Sequence, residues 1–226
     1  MEFLFDTANL DEIRSYGEIF PYTGVTSNPS ILKKEGKVDF FAHFNALRAI
    51  IGDERTLHIQ VTARNAEGML REAAAILENV DSAVCIKVPV DEEGLKTIRA
   101  LKKLGATVTA TGIYAKMQGY LATAAGADYL AVYYNRMENL GVDAADVVSS
   151  LADQIANGGY STKILGASFK NVAQLVYALE SGAHAVTTPP ALLREALAIA
   201  PIGKAVDDFA RDWAALYGQK RIDELA

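Results

Sequence analysis

The chain has one cysteine, Cys85, in 226 residues, so it can form no internal disulfide, and its composition does not call for an oxidising compartment. Histidine is almost as scarce. His43, His58 and His184 are scattered, with no HExxH motif, no paired spacing and no cysteine pair to suggest a zinc site. Neither GxGxxG nor GxxxxGK[ST] occurs, which leaves a nucleotide cofactor unsupported; no cofactor and no metal are expected. No apolar run approaches a membrane span, and the opening MEFLFDTANL lacks the basic segment, long apolar core and cleavage site of a signal peptide. A net charge of −6 gives no basic surface for nucleic acid or an anionic membrane, although a local basic pocket can still take a small anion. The expectation is a cytoplasmic protein whose partners are small molecules.

What is present is regular. Short β-rich runs (EFLFD, YTGVTSN, TLHIQV, AVCIKVPV, ATVTATGI, YLAVYYN, TKILGAS and HAVTT) alternate with helix-period segments such as NAEGMLREAAAILEN and DEEGLKTIRALKKL. About eight such βα units in a chain of this length favour an α/β closed barrel over an open sheet. Asn65 and Asp91 stand at helix N-caps, and Gly52, Gly105, Gly126, Gly158 and Gly182 stand just after helices. With no linker or low-complexity tract, residues 1–226 read as a single domain. Residues 203–218 form an extra amphipathic C-terminal helix that covers the barrel or reaches a neighbouring subunit.

Strand parity identifies what fills the barrel, because alternate side chains point inward. In TLHIQVT the apolar set is Leu57, Ile59 and Val61, which leaves His58, Gln60 and Thr62 facing in. The same test turns Cys85 and Lys87 inward, along with Thr107, Thr109 and Thr111, then Tyr129, Ala131, Tyr133 and Asn135, then Ile164, Gly166 and Ser168. Asp6, Gly24, Thr26 and Asn28 come from the first two strands. A lone lysine in an apolar strand ordinarily snorkels to water. Here a polar ring of Asp6, Asn28, Gln60, Lys87, Thr111, Tyr133 and Ser168 converges on one mouth, at the carboxyl ends of the strands where barrel enzymes build their sites.

A partly desolvated lysine loses its proton readily, and its neutral amine attacks carbonyl carbon, so Schiff-base chemistry is the natural reading of Lys87. Asp6 and Tyr133 are candidates to move the hydroxyl proton, against the plainer readings of a helix cap and a packed core ring. Arg136, Ser168 and Lys170 follow strands six and seven, where barrels often hold phosphate.

These residues, in this order, resemble the transaldolase family, most closely its small fructose-6-phosphate aldolase branch. The resemblance is carried by FDTANLDEI, GVTSNPSIL, IQV, IKVPV, GLKTIRALKKLG, YNRM, GASFKN and FARDWAALYG, which span the chain. It implies a (β/α)8 TIM barrel with Lys87 forming the Schiff base at ketose carbon two. In this alignment Asp6 transfers protons, Asn28 and its neighbour Thr26 bind the donor, and Gln60 and Thr111 position a catalytic water. Arg136, Ser168 and Lys170 hold the acceptor phosphate. Gln60, Tyr133 and Ala131 follow the aldolase branch, where transaldolases carry Glu, Phe and Ser. Two departures, Thr109 for Leu and Val132 for Pro, are expected near the pocket. The resemblance also implies a homo-oligomeric ring, a decamer among the possibilities, with the terminal helix laid on a neighbour. The expected activity is reversible cleavage of fructose 6-phosphate to dihydroxyacetone and glyceraldehyde 3-phosphate. Its alternatives are a transaldolase and a non-catalytic sugar-phosphate-binding barrel.

Overall fold

The computed structural model describes residues 1–225. Eight parallel strands close on themselves in sequence order: β1 (Glu2–Asp6), β2 (Gly24–Thr26), β3 (Thr56–Gln60), β4 (Cys85–Pro89), β5 (Val108–Ile113), β6 (Tyr129–Tyr133), β7 (Lys163–Ala167) and β8 (Ala185–Thr188). Helices between the strands cover the outside, giving the expected (β/α)8 barrel. The outward residues of the strands, Phe5, Val25, Leu57, Ile59, Ile86, Val88 and Val108 among them, are buried against helix residues such as Leu47, Met69, Ile98 and Leu151. This shell between sheet and helices holds most of the apolar burial that drives folding.

The local signals work as their chemistry dictates. Asn65 and Asp91 cap their helices by accepting from the amides of Gly68 and Gly94, both at 2.7 Å. Gly94 has no alternative, because a Cβ there would lie 1.8 Å from the Pro89 carbonyl oxygen. One stop signal differs: the helix Ala144–Gly158 runs through Gly158, and Gly159 makes the left-handed turn. The terminal helix is Ala200–Tyr217, longer at its start than residues 203–218, because Pro201 is compatible with a first turn.

Inside the barrel the side chains form layers. At the amino end Glu2 pairs with Lys163 and accepts from Tyr129 Oη. Above them lies a small apolar plug of Leu4, Cys85, Tyr129, Ala131, Leu165 and Ala185. The alternation holds within β1 to β6. Thr62, expected to face in, lies beyond the end of β3 and turns to the helix layer, where its amide and hydroxyl donate to Glu72 at 2.6 and 2.9 Å. Strand β7 alternates the other way. Leu165 and Ala167 face in, while Ile164 packs in the outer shell and Gly166 leaves room there for the Phe169 ring. The strand ends at Ala167 and Ser168 takes φ 64°, the only positive φ outside glycine among the described residues, and this kink returns Ser168 to the mouth. Asn135 also lies outside the interior set, on the short helix Tyr134–Asn139.

Candidate active site

Lys87 is 4 % exposed, and its Nζ donates to the Ser27 carbonyl at 2.9 Å. Burial lowers its pKa from the usual lysine value, and the Asp6 carboxylate opposes that shift. Above it opens a cavity of about 310 Å³ at the carboxyl ends of the strands, which Asp6, Asn28, Lys87, Tyr133, Arg136, Ser168 and Lys170 all line. A cleft of about 360 Å³ on the outer surface, lined by Tyr134, Glu138, Asp143 and Tyr177, holds no lysine or arginine.

Each wall of the cavity is held locally. Asn28 caps the helix Pro29–Leu32, its Oδ1 accepting from the amides of Ser30 at 2.9 Å and Ile31 at 3.0 Å, which leaves its amide group free to donate. Thr26, fully buried, lies beneath rather than in the cavity; its Oγ1 donates to Asp6 Oδ1 at 2.6 Å and meets Thr187 Oγ1 at 2.7 Å. It therefore orients Asp6. Tyr133 Oη lies 3.1 Å from Thr111 Oγ1, and burial raises its pKa, so the phenol keeps its proton. Thr111 touches the site through that contact. Gln60 is the register partner of Lys87, yet its side chain borders clefts on the far side of Asn28 and Pro29, with a buried Oε1 that has no protein partner.

Three cations face the cavity besides Lys87. Arg136 lies over the Tyr133 ring, 4.6 Å from its centroid. Lys170 sits on a loop tied to the Arg136 helix by Gln174, which accepts from the Lys170 amide at 2.8 Å and donates to Asn135 Oδ1 at 3.1 Å. Lys34 enters from the opposite side, on the turn after the Asn28-capped helix. No carboxylate pairs with Lys34, Arg136 or Lys170 among the described residues, so a chain of net negative charge presents a locally cationic mouth. Lys34, Gln174 and Thr187 escape sequence reasoning: two lie on helical segments with no strand parity to orient them, and the third on a strand whose parity has no polar outlier.

The two departures lie away from the cavity. Val132 faces outward into the shell between sheet and helices. Thr109 is buried below the cavity, its hydroxyl 2.8 Å from His58 Nδ1. Burial, reinforced by the Lys87 charge, pushes the His58 imidazole down to about 3, so it is neutral.

A parallel barrel with a desolvated lysine beneath a carboxylate, a phenol and three cations that have no carboxylate partner among the described residues has the architecture of an enzyme acting on small molecules. A profile of the transaldolase/fructose-6-phosphate aldolase family matches residues 3–220. A probable fructose-6-phosphate aldolase of Streptococcus pneumoniae (strain ATCC 700669 / Spain 23F-1) is 49% identical over 222 residues, covering 98% of this chain and all of that protein. The chain belongs to the transaldolase/fructose-6-phosphate aldolase family.

Proposed function

We propose that the protein is a class I aldolase that reversibly cleaves fructose 6-phosphate to dihydroxyacetone and glyceraldehyde 3-phosphate. The observation that carries this reading is Lys87, buried and depressed in pKa at the base of a cavity with unpaired cations at its rim. The neutral Lys87 amine attacks carbon two of the open-chain sugar, and loss of water from the carbinolamine gives an iminium. Asp6 takes the proton of the carbon-four hydroxyl as the bond between carbons three and four breaks. Its electron pair passes to the iminium nitrogen, leaving an enamine and the aldehyde. Arg136, Ser168 and Lys170 hold the phosphate, and Asn28 donates to the hydroxyls of the three-carbon unit. Tyr133 then protonates the enamine carbon through a water, and a second water hydrolyses the iminium to dihydroxyacetone and free Lys87. Gln60 does not line this cavity, so its unpartnered Oε1 is not assigned to that water.

We also infer assembly with further copies of the chain. The terminal helix buries none of its side chains, and Ile199, Ile202, Val206 and Phe209 form an exposed apolar stripe at helical spacing. No helix among the described residues is long and apolar enough to cross a membrane, and we propose a cytoplasmic location.

Supplying fructose 6-phosphate alone and assaying free dihydroxyacetone tests the activity. Release without an acceptor is expected, and Tyr133→Phe should lower it about 10²-fold or more while sparing transfer, which uses the enamine unprotonated. If no dihydroxyacetone appears, yet erythrose 4-phosphate is converted to sedoheptulose 7-phosphate, the protein is a transaldolase instead.

A further inference from the structure

The end of β5 breaks its own alternation. In a regular strand Thr111 facing inward would put Ile113 inward and Tyr114 outward. Instead the register slips between Thr111 and Ile113 around Gly112, whose φ of 76° suits glycine and few other residues. Ile113 is consequently buried in the outer shell, and Tyr114 is carried to the mouth, where its ring meets the Tyr133 ring at 5.5 Å and 73°. Its hydroxyl accepts from Arg136 Nη1 at 3.2 Å, and the same guanidinium stacks on the Tyr133 ring. Thr111, on the near side of the bulge, meets the Tyr133 hydroxyl. The irregularity therefore places Tyr114, just past β5, on the ring of Tyr133, while Thr111 in the strand meets its hydroxyl.

We propose that Tyr114 is a positioning residue that couples anion recognition to proton transfer: it holds Arg136 on the face of Tyr133, so that an anion engaging Arg136 also fixes the phenol against Thr111. The inference rests on the reading of Tyr133 as the proton-transfer group and Arg136 as the phosphate anchor. The guanidinium has N–H groups to spare for a phosphate after the single bond to Tyr114, and among the described residues no carboxylate pairs with it. Occupying it with a dianion pins a side chain that is otherwise exposed on its outer edge. Restricting Arg136 restricts the ring beneath it, because a cation over an aromatic face favours one stacked geometry. The phosphate of a substrate then contributes to the chemical step as well as to binding.

Exchange of the carbon-bound hydrogens of dihydroxyacetone with solvent deuterium reads the Tyr133 step alone, since it needs only iminium and enamine and no acceptor. Adding phosphite dianion, which fits the anion site without being a substrate, should speed exchange by about fivefold or more in the wild type. Tyr114→Phe, which removes one hydroxyl and keeps the ring, should lose most of that acceleration, and so should Arg136→Lys, which keeps the charge but not the planar stack. Equal acceleration in Tyr114→Phe and the wild type, or none in the wild type, overturns the proposal. A wild type that exchanges no deuterium at all and releases no dihydroxyacetone from fructose 6-phosphate overturns the aldolase reading itself.

Discussion

The hydroxyl of Thr109 lies 2.8 Å from Nδ1 of His58, and both residues are wholly buried in the barrel interior. His58 reaches from β3 past β4 to β5, with its other nitrogen 3.0 Å from Thr56 Oγ1. The pair satisfies an imidazole that must stay neutral, since its pKa is about 3. Thr109→Leu, which introduces the residue expected from the aldolase pattern, strands Nδ1 and should cost about 1–3 kcal/mol. At roughly 2–4 °C per kcal/mol for a chain of this size, thermal melting resolves that. In a His58→Ala background the same Thr109→Leu change should cost much less, because the two side chains share one contact. An unchanged melting temperature in Thr109→Leu would show that the contact contributes nothing.

Burying Lys87 costs stability. Its folded pKa lies below its unfolded value, so the unfolded chain holds the proton more tightly, and stability rises with pH across the interval between the two. Lys87→Met removes the buried ammonium and should stabilise the protein by about 0.5–2 kcal/mol at neutral pH while abolishing activity. The gain should be full below the folded pKa and shrink as pH rises through it. Denaturant melts of both proteins at neutral and alkaline pH measure this, and a variant less stable than its parent at neutral pH would contradict it.

Arg136 is permanently charged and has no carboxylate partner among the described residues. Arg136→Ala should raise KM for phosphorylated acceptor aldehydes by about 10–100-fold and change KM for unphosphorylated aldehydes little. Steady-state kinetics with glyceraldehyde and glyceraldehyde 3-phosphate compares the two. Equal losses for both would mark Arg136 as structural.

Much of this was legible in the sequence because strands have a period of two. That period identified Lys87 as the inward lysine and brought Asp6, Tyr133 and Thr111 toward one end. It failed where the backbone stops being a strand. Ser168 was assigned to the mouth through a parity that β7 does not have, and reaches it by a left-handed kink instead. Tyr114 was invisible for the converse reason, since the Gly112 bulge reverses the alternation just before it. Thr109 and Val132 were expected near the pocket, but one serves a buried imidazole and the other the helix layer. Lys34 and Gln174 act from segments whose orientation depends on tertiary packing, which no local pattern encodes.

The proposed activity stands on covalent bonding of the Lys87 amine to the substrate carbonyl. Borohydride reduction in the presence of dihydroxyacetone converts an iminium to a stable secondary amine, and peptide mass spectrometry then locates the added three-carbon unit. That mass is expected on the peptide carrying IKVPV, at Lys87, and should be absent from Lys87→Met. A label on another lysine, or none while substrate is demonstrably bound, would contradict it.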